Sequence, residues 1–70
     1  MTREEIVALF APVIRGDWVV ISKNVLVDLD TFVAIFSEAA DGSYEALMAV
    51  GESRGYGTWL TRLRDDGVLQ

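Results

Sequence analysis

Apolar residues stand at Ile6, Leu9, Phe10, Val13 and Ile14, a spacing of i, i+3, i+4, i+7 and i+8 that draws one stripe along an amphipathic helix. Thr2-Arg3-Glu4-Glu5 ahead of it has the form of a capping box, so a helix is predicted to begin at residue 3. Pro12 lacks the amide that would bond the Ala8 carbonyl and disfavours helical Ala11, which predicts a kink or an early stop near Ala11, with Gly16 closing the element. The pattern then changes. From Asp17 to Ala40 runs the densest apolar stretch of the chain, and its first part is rich in β-branched residues.

Trp18–Ser22 and Val25–Leu29, joined by Ser22-Lys23-Asn24, predict a β-hairpin. Successive strand side chains alternate between faces, so Trp18 and Val20 should point one way and Val19 and Ile21 the other. Neither face is polar. Asp30 and Thr31 are candidate N-caps for a second helix with Phe32, Ile35, Phe36 and Ala39 as its buried stripe, stopped by Asp41-Gly42. A third helix is predicted from about Tyr44 to Glu52, with Tyr44, Leu47, Met48 and Gly51 on one side. After the glycine-rich link 53–57, Thr58 should cap a fourth helix over about Trp59–Asp66, turned inward by Leu60 and Leu63, with Gly67 ending it. The predicted class is α+β, mostly helical: an N-terminal helix, a short hairpin and three helices packed on one of its faces, in a single domain over residues 1–70.

Composition adds a problem of coverage. Hydrophobic residues are 51% of a 70-residue chain, and so short a chain has little interior in which to hide them. There is no cysteine, so neither a disulfide nor a thiolate zinc site can staple the fold, and oligomerisation is the remaining device. The helices can cover one face of the hairpin at most. A homodimer is therefore expected, with Trp18, Val20, Val25 and Val27 in its interface. Trp18→Ala, which removes a large apolar group from that core or interface, is expected to lower stability by about 3 kcal/mol or more. No secretory leader pattern and no run of membrane-spanning length is evident, so a cytoplasmic location is the expectation.

Net charge is −5, from eleven acidic and six basic residues, and it is unevenly spread. Asp28, Asp30, Glu38, Asp41, Glu45 and Glu52 fall between Asn24 and Ser53 with no Lys or Arg among them, whereas Arg54, Arg62 and Arg64 follow with no acid between Arg54 and Arg64. A negative middle third repels a nucleic-acid backbone and attracts a basic protein surface.

Catalytic chemistry finds little to work with. Without histidine or cysteine, the serines Ser22, Ser37, Ser43 and Ser53 lack the usual activating partner, and caps and turns account for them better. The carboxylate pairs Asp28/Asp30 and Asp65/Asp66 read as solvated surface groups, since a chain of this size offers no deep cleft to drive their pKa values apart. Asp28-x-Asp30 opens like a calcium loop, but Phe32 stands at the next ligand position and the required glycine is missing. Gly51, Gly55 and Gly57 match neither a dinucleotide fingerprint nor a phosphate loop. A non-enzymatic protein without metal or cofactor is the expectation.

The most suggestive cluster is Arg54-Gly55-Tyr56-Gly57-Thr58-Trp59 with Arg62 and Arg64, because Arg, Tyr and Trp dominate interface energetics. Tyr56, between two glycines, is expected to be hard to bury within one chain. The segment Tyr44–Leu69, YEALMAVGESRGYGTWLTRLRDDGVL, resembles the second half of a helix-turn-helix domain, and its ending L-x-R-x-x-G-V-L is similar to the recognition helix of winged-helix regulators. That resemblance implies a dimeric DNA-binding protein with Thr58, Thr61, Arg62 and Arg64 near the groove. In size, acidity and apolar excess the whole chain resembles the small inhibitors that phages encode against host machinery, such as anti-CRISPR proteins and anti-activators. That second resemblance implies a protein that binds and inhibits another protein, a host transcription regulator or nuclease, through its basic surface. Arg54, Tyr56, Trp59 and Arg62 would be the anchors, and Asp28, Asp30, Glu38 and Glu45 the acidic contacts.

Overall fold

The computed structural model describes residues 1–69. Within them, four α-helices and a three-stranded antiparallel sheet build an α+β fold in the order α1 (Arg3–Leu9), β1 (Ile14–Arg15), β2 (Trp18–Ser22), β3 (Val25–Asp28), α2 (Leu29–Phe36), α3 (Tyr44–Gly51) and α4 (Gly57–Asp65), with single 3₁₀ turns at Ala11–Val13 and Glu52–Arg54. The class agrees with the pattern of apolar positions. Several element boundaries do not.

The capping box forms as the sequence predicts: Thr2 Oγ1 accepts from the Glu5 amide, and the Glu5 carboxylate accepts from the Thr2 amide. The helix stops earlier than its apolar stripe, however. Pro12 sits in the first positions of the 3₁₀ turn, and Ile14 leaves the helical path altogether to enter β1. Gly16 closes no helix. With φ at +61° it makes the tight turn between β1 and β2, a conformation open to glycine and strained for most other residues. The helical spacing of Val13 and Ile14 thus conceals a third strand, whose register pairs Ile14 with Val19 and Arg15 with Trp18.

β2 is the central strand, in the order β1-β2-β3. Trp18 pairs with Asp28, Val19 with Val27 and Val20 with Leu26, and a bulge at Ile21 separates these pairs from Ser22 opposite Val25. Ile21, two residues on from inward Val19, packs against the core. Leu29, a strand residue by its pattern, instead begins α2. The N-cap of α2 is Asp28, whose carboxylate accepts from the Thr31 amide, so Asp30 and Thr31 fall inside the helix. α2 also ends earlier than its apolar stripe, at Phe36. Ala39 is buried beyond its end, and Asp41-Gly42 lies within the connection to α3.

Ser43 caps α3 through the Ala46 amide. Between α3 and α4, Gly55 takes φ +84° while the Tyr56 amide donates to the Gly51 carbonyl and the Gly55 amide to that of Glu52, which satisfies the helix-end carbonyls in a Schellman arrangement. α4 starts at Gly57 with Tyr56 as its N-cap and no side-chain cap, so Thr58 lies in the first helical turn and not before it. At the far end, the amides of Val68 and Leu69 both donate to the Leu63 carbonyl, folding Leu69 back into the core.

The core is aromatic. Phe10 lies edge-on to Phe32 at 4.9 Å and parallel to Trp59 at 5.8 Å, and Phe36 lies 4.7 Å from Phe32. Such pairs contribute roughly 0.5–1.5 kcal/mol each beyond the area they bury. Ile6, Val19, Leu47, Leu60 and Leu63 fill the remaining space, and among the described residues no buried side chain is polar or charged. Phe32 and Phe36 come from α2, Trp59 from α4 and Phe10 from the turn after α1, so this cluster is what holds the helical layer against the sheet.

Candidate interaction surfaces

Three regions of the surface could meet another molecule. The first is the sheet. Val19 and Val27 face the helices, with Ile14 beside them; Val19 is fully buried and the other two pack against the core. Val27, expected in a dimer interface, is therefore an inward residue. On the opposite face lie Arg15, Trp18, Val20 and Leu26. Trp18 is 47% exposed, Leu26 53% and Val25 48%, and among the described residues these are the only large hydrophobic side chains left open to solvent. All three belong to one hairpin. Leu26 is not marked as an outward residue by the sequence, because the bulge that sets its register leaves no trace in the alternation of Val25, Leu26 and Val27.

The second region is a cleft of about 460 Å³ between the end of α1, the α2–α3 connection and the first turn of α3. Leu9, Tyr44 and Val68 supply its apolar lining; Asp41 and Glu45 supply its charge, and no Lys or Arg borders it among the described residues. Asp41 accepts a hydrogen bond from the Ser43 amide, and the Ser43 hydroxyl and amide together hold the Asp41 carboxyl below its ordinary pKa. Arg64 is close by but engaged: its guanidinium stacks on the Tyr44 ring at 4.4 Å and lies 3.6 Å from Asp65. In the sequence Asp41 is one acid of the middle third among six, and its turn with Ser43 marks it only as a loop residue.

The third region is a larger cleft of about 680 Å³ along α3 and α4, bordered by Met48, Glu52, Thr58, Thr61 and Arg62 among others. Asp65 also borders it, so its one cation among the described residues faces two carboxylates. Thr61 is already committed, donating to the Gly57 carbonyl and sharing a hydrogen bond with the Tyr44 hydroxyl.

The aromatic-arginine segment disperses in the fold. Trp59 is buried against Phe10 and Phe32, which makes it a core residue and removes it from the anchors. Tyr56 is half-buried after all, stacked on Phe36 at 6.1 Å and edge-on to Trp59 at 5.9 Å. Gly55, with φ at +84°, turns the chain so that this ring lies back on the helices. Arg54 lies 3.9 Å from Glu38, and Arg62 stays exposed with no ion-pair partner among the described residues.

The acidic third is likewise less uniform than its sequence. Arg3 comes from α1 to bind Asp30 at 2.8 Å, Arg54 faces Glu38, and Asp28 is occupied as a helix cap. Glu45 and Asp41 keep their charge facing the second cleft. Among the described residues, no group of acidic side chains is arranged to hold a metal ion, and no helix is long and apolar enough to cross a membrane.

Comparisons of the chain with family models, with curated proteins and with solved structures found no match. The functional reading therefore stands on the geometry of these surfaces.

Proposed function

We propose that the protein is a non-enzymatic, acidic interaction protein that docks on a basic surface of another protein and inhibits it, in the manner of the small phage-encoded inhibitors that it resembles in style. The cleft at Asp41 and Glu45 carries this reading, because an apolar lining of Leu9, Tyr44 and Val68 under two carboxylates, with no Lys or Arg in the lining among the described residues, suits the stem and head of an arginine or lysine side chain. A transcription regulator or a nuclease presents such side chains on the surface with which it grips nucleic acid, and covering them would block that grip. Arg54, Arg62, Glu38 and the half-exposed Tyr56 do not line this cleft, Arg62 bordering the larger one along α3 and α4, and they are not among its proposed contacts. The exposed hairpin supports a second element of the proposal, self-association as a homodimer.

A fluorescein-labelled arginine-rich peptide is a direct probe. Amide shifts in NMR spectra should cluster at Leu9, Asp41, Tyr44, Glu45 and Val68, and Asp41→Asn with Glu45→Gln should weaken binding at least about tenfold. Shifts confined to other surfaces, or unchanged affinity in the double variant, would refute the assignment.

The helix-turn-helix reading keeps one point in its favour, that α3 and α4 are consecutive helices and α4 exposes Thr58, Arg62 and Arg64, but the five residues 52–56 between them exceed the motif's turn of three or four. Glu52, Asp65 and Asp66 lie among these residues and would oppose phosphate. Binding of duplex DNA at submicromolar concentration, with a steep dependence on salt, would favour that alternative over the inhibitor.

A further inference from the structure

The outer face of the sheet points to a specific occupant, and the inference rests on the self-association named above. Across the sheet in one transverse row stand Arg15 on β1, Trp18 on β2 and Asp28 on β3, since Arg15 pairs with Trp18 and Trp18 with Asp28. The row is positive at one edge, apolar in the middle and negative at the other edge. Val20 and Leu26 form the apolar row beside it. Among the described residues, Arg15 donates only to the carbonyls of Pro12 and Ile14, and one carboxylate oxygen of Asp28 caps α2 while the other has no hydrogen-bond partner.

We propose that this face binds a second copy of the chain, sheet against sheet, about a two-fold axis running along β2 in the plane between the copies. That axis exchanges the two edges of the sheet. Arg15 of one copy then opposes Asp28 of the other at both ends of the row, while Trp18 meets Trp18 and Val20 meets Val20 at the centre. The strands of the two sheets stay within about 30° of one another, the ordinary aligned packing of sheets. A two-fold axis thus turns the charge pattern of this row into two ion pairs without involving any other residue. An axis across the strands would instead set Arg15 against Arg15, and an acidic or basic foreign surface could match only one edge of the row.

Three short strands give an interface at the small end of the range, below about 1,200 Å² in total, so association should be weak, on the order of 10–100 µM. Sedimentation velocity of the protein alone, over a concentration series that brackets this range, is the test. The wild type should move from monomer to dimer. Leu26→Lys, a change on an exposed position, should hold it as a monomer with an unchanged circular dichroism spectrum. Arg15→Glu should weaken the dimer at least about tenfold, because the new carboxylate would face Asp28 of the other copy. Asp28→Asn keeps a residue able to cap α2 and should weaken the dimer less. An equimolar mixture of the Arg15→Glu and Asp28→Asn chains should associate more tightly than either alone, because only the mixed pair regains one Arg15–Asp28 contact without a like-charge pair.

A wild type that remains monomeric to about 500 µM would overturn the proposal. So would a dimer that survives Leu26→Lys and Arg15→Glu, which would place the contact at the open edge of β3 or on the helices. Neither result bears on the peptide experiment at Asp41 and Glu45, so the two readings fail independently.

Discussion

Trp18 and Val19 are neighbours on β2, both strongly apolar, and the fold treats them in opposite ways. Val19 is fully buried under the helices; Trp18, one residue earlier and far larger, leaves 47% of its surface in water. Each Å² of apolar surface removed from water contributes roughly 25 cal/mol and the tryptophan has far more of it to bury, so hydrophobicity residue by residue does not decide which of the two goes inside. Parity along the strand decides it. The helices supply enough aromatic surface for one face, and the face on which Ile14, Val19 and Val27 line up is the one that meets Phe10, Phe32 and Phe36. The other face keeps Trp18 and Leu26 about half exposed.

Substitutions can break this contrast, and the largest effect is expected beneath the covered face. Phe36→Ala removes a ring in contact with Phe10, Phe32 and Tyr56 and should destabilise the fold by about 3–5 kcal/mol in urea unfolding. Val19→Ala deletes two methyl groups at a fully buried site and should cost about 2 kcal/mol. Trp18→Ala sharpens the comparison most. The sequence suggests a loss of about 3 kcal/mol or more, but a half-exposed ring on the uncovered face should contribute less, about 1–2 kcal/mol, to a monomer held at low micromolar concentration. A loss of about 3 kcal/mol or more at this concentration would mean that the outer face is already covered. At a concentration where the chain pairs, the cost of Trp18→Ala should grow, whereas that of Val19→Ala should not.

The smallest effect concerns pH. The Thr2 amide and hydroxyl hold the carboxyl of Glu5 below its ordinary pKa, and Ser43 does the same for Asp41. A carboxylate whose folded pKa is depressed contributes stability above its unfolded pKa and loses it as pH falls through the folded value. Stability should therefore decline in acid below the ordinary carboxylate range, and Glu5→Gln or Asp41→Asn should flatten that decline slightly. Both groups are fully exposed, so the change should be small beside that of any core substitution. Because neither group lies on the sheet, the difference between Trp18→Ala and Val19→Ala should persist at acid pH.

Elements with a strong local signature are legible in the sequence alone. The Thr2–Glu5 capping box, the apolar spacing of α3 and the inward Leu60 and Leu63 of α4 depend on residues three or four apart, and nearby residues carry that information in full. β1 is not legible, because two residues cannot show a period and Val13 and Ile14 continue a helical one by coincidence. The caps of α2 and α4 lie two or three residues before their predicted places. For α2, Asp28, Asp30 and Thr31 are all able caps, and only the end of β3 chooses between them.

The candidate sites divide in the same way. Composition determined that this chain is acidic, without histidine or cysteine, and richer in apolar residues than so small an interior absorbs. Tertiary structure decided which of those residues are free. It brought Arg3 to Asp30 and Arg54 to Glu38, residues far apart along the chain, and so cancelled charge that looked uniform. It also buried Trp59, laid Tyr56 on Phe36, and aligned Arg15, Trp18 and Asp28 in one row. Local sequence sets what a residue can do within one turn of helix; which charge meets which, and which face of a strand stays wet, depend on contacts between distant segments that form only when the chain closes on its core.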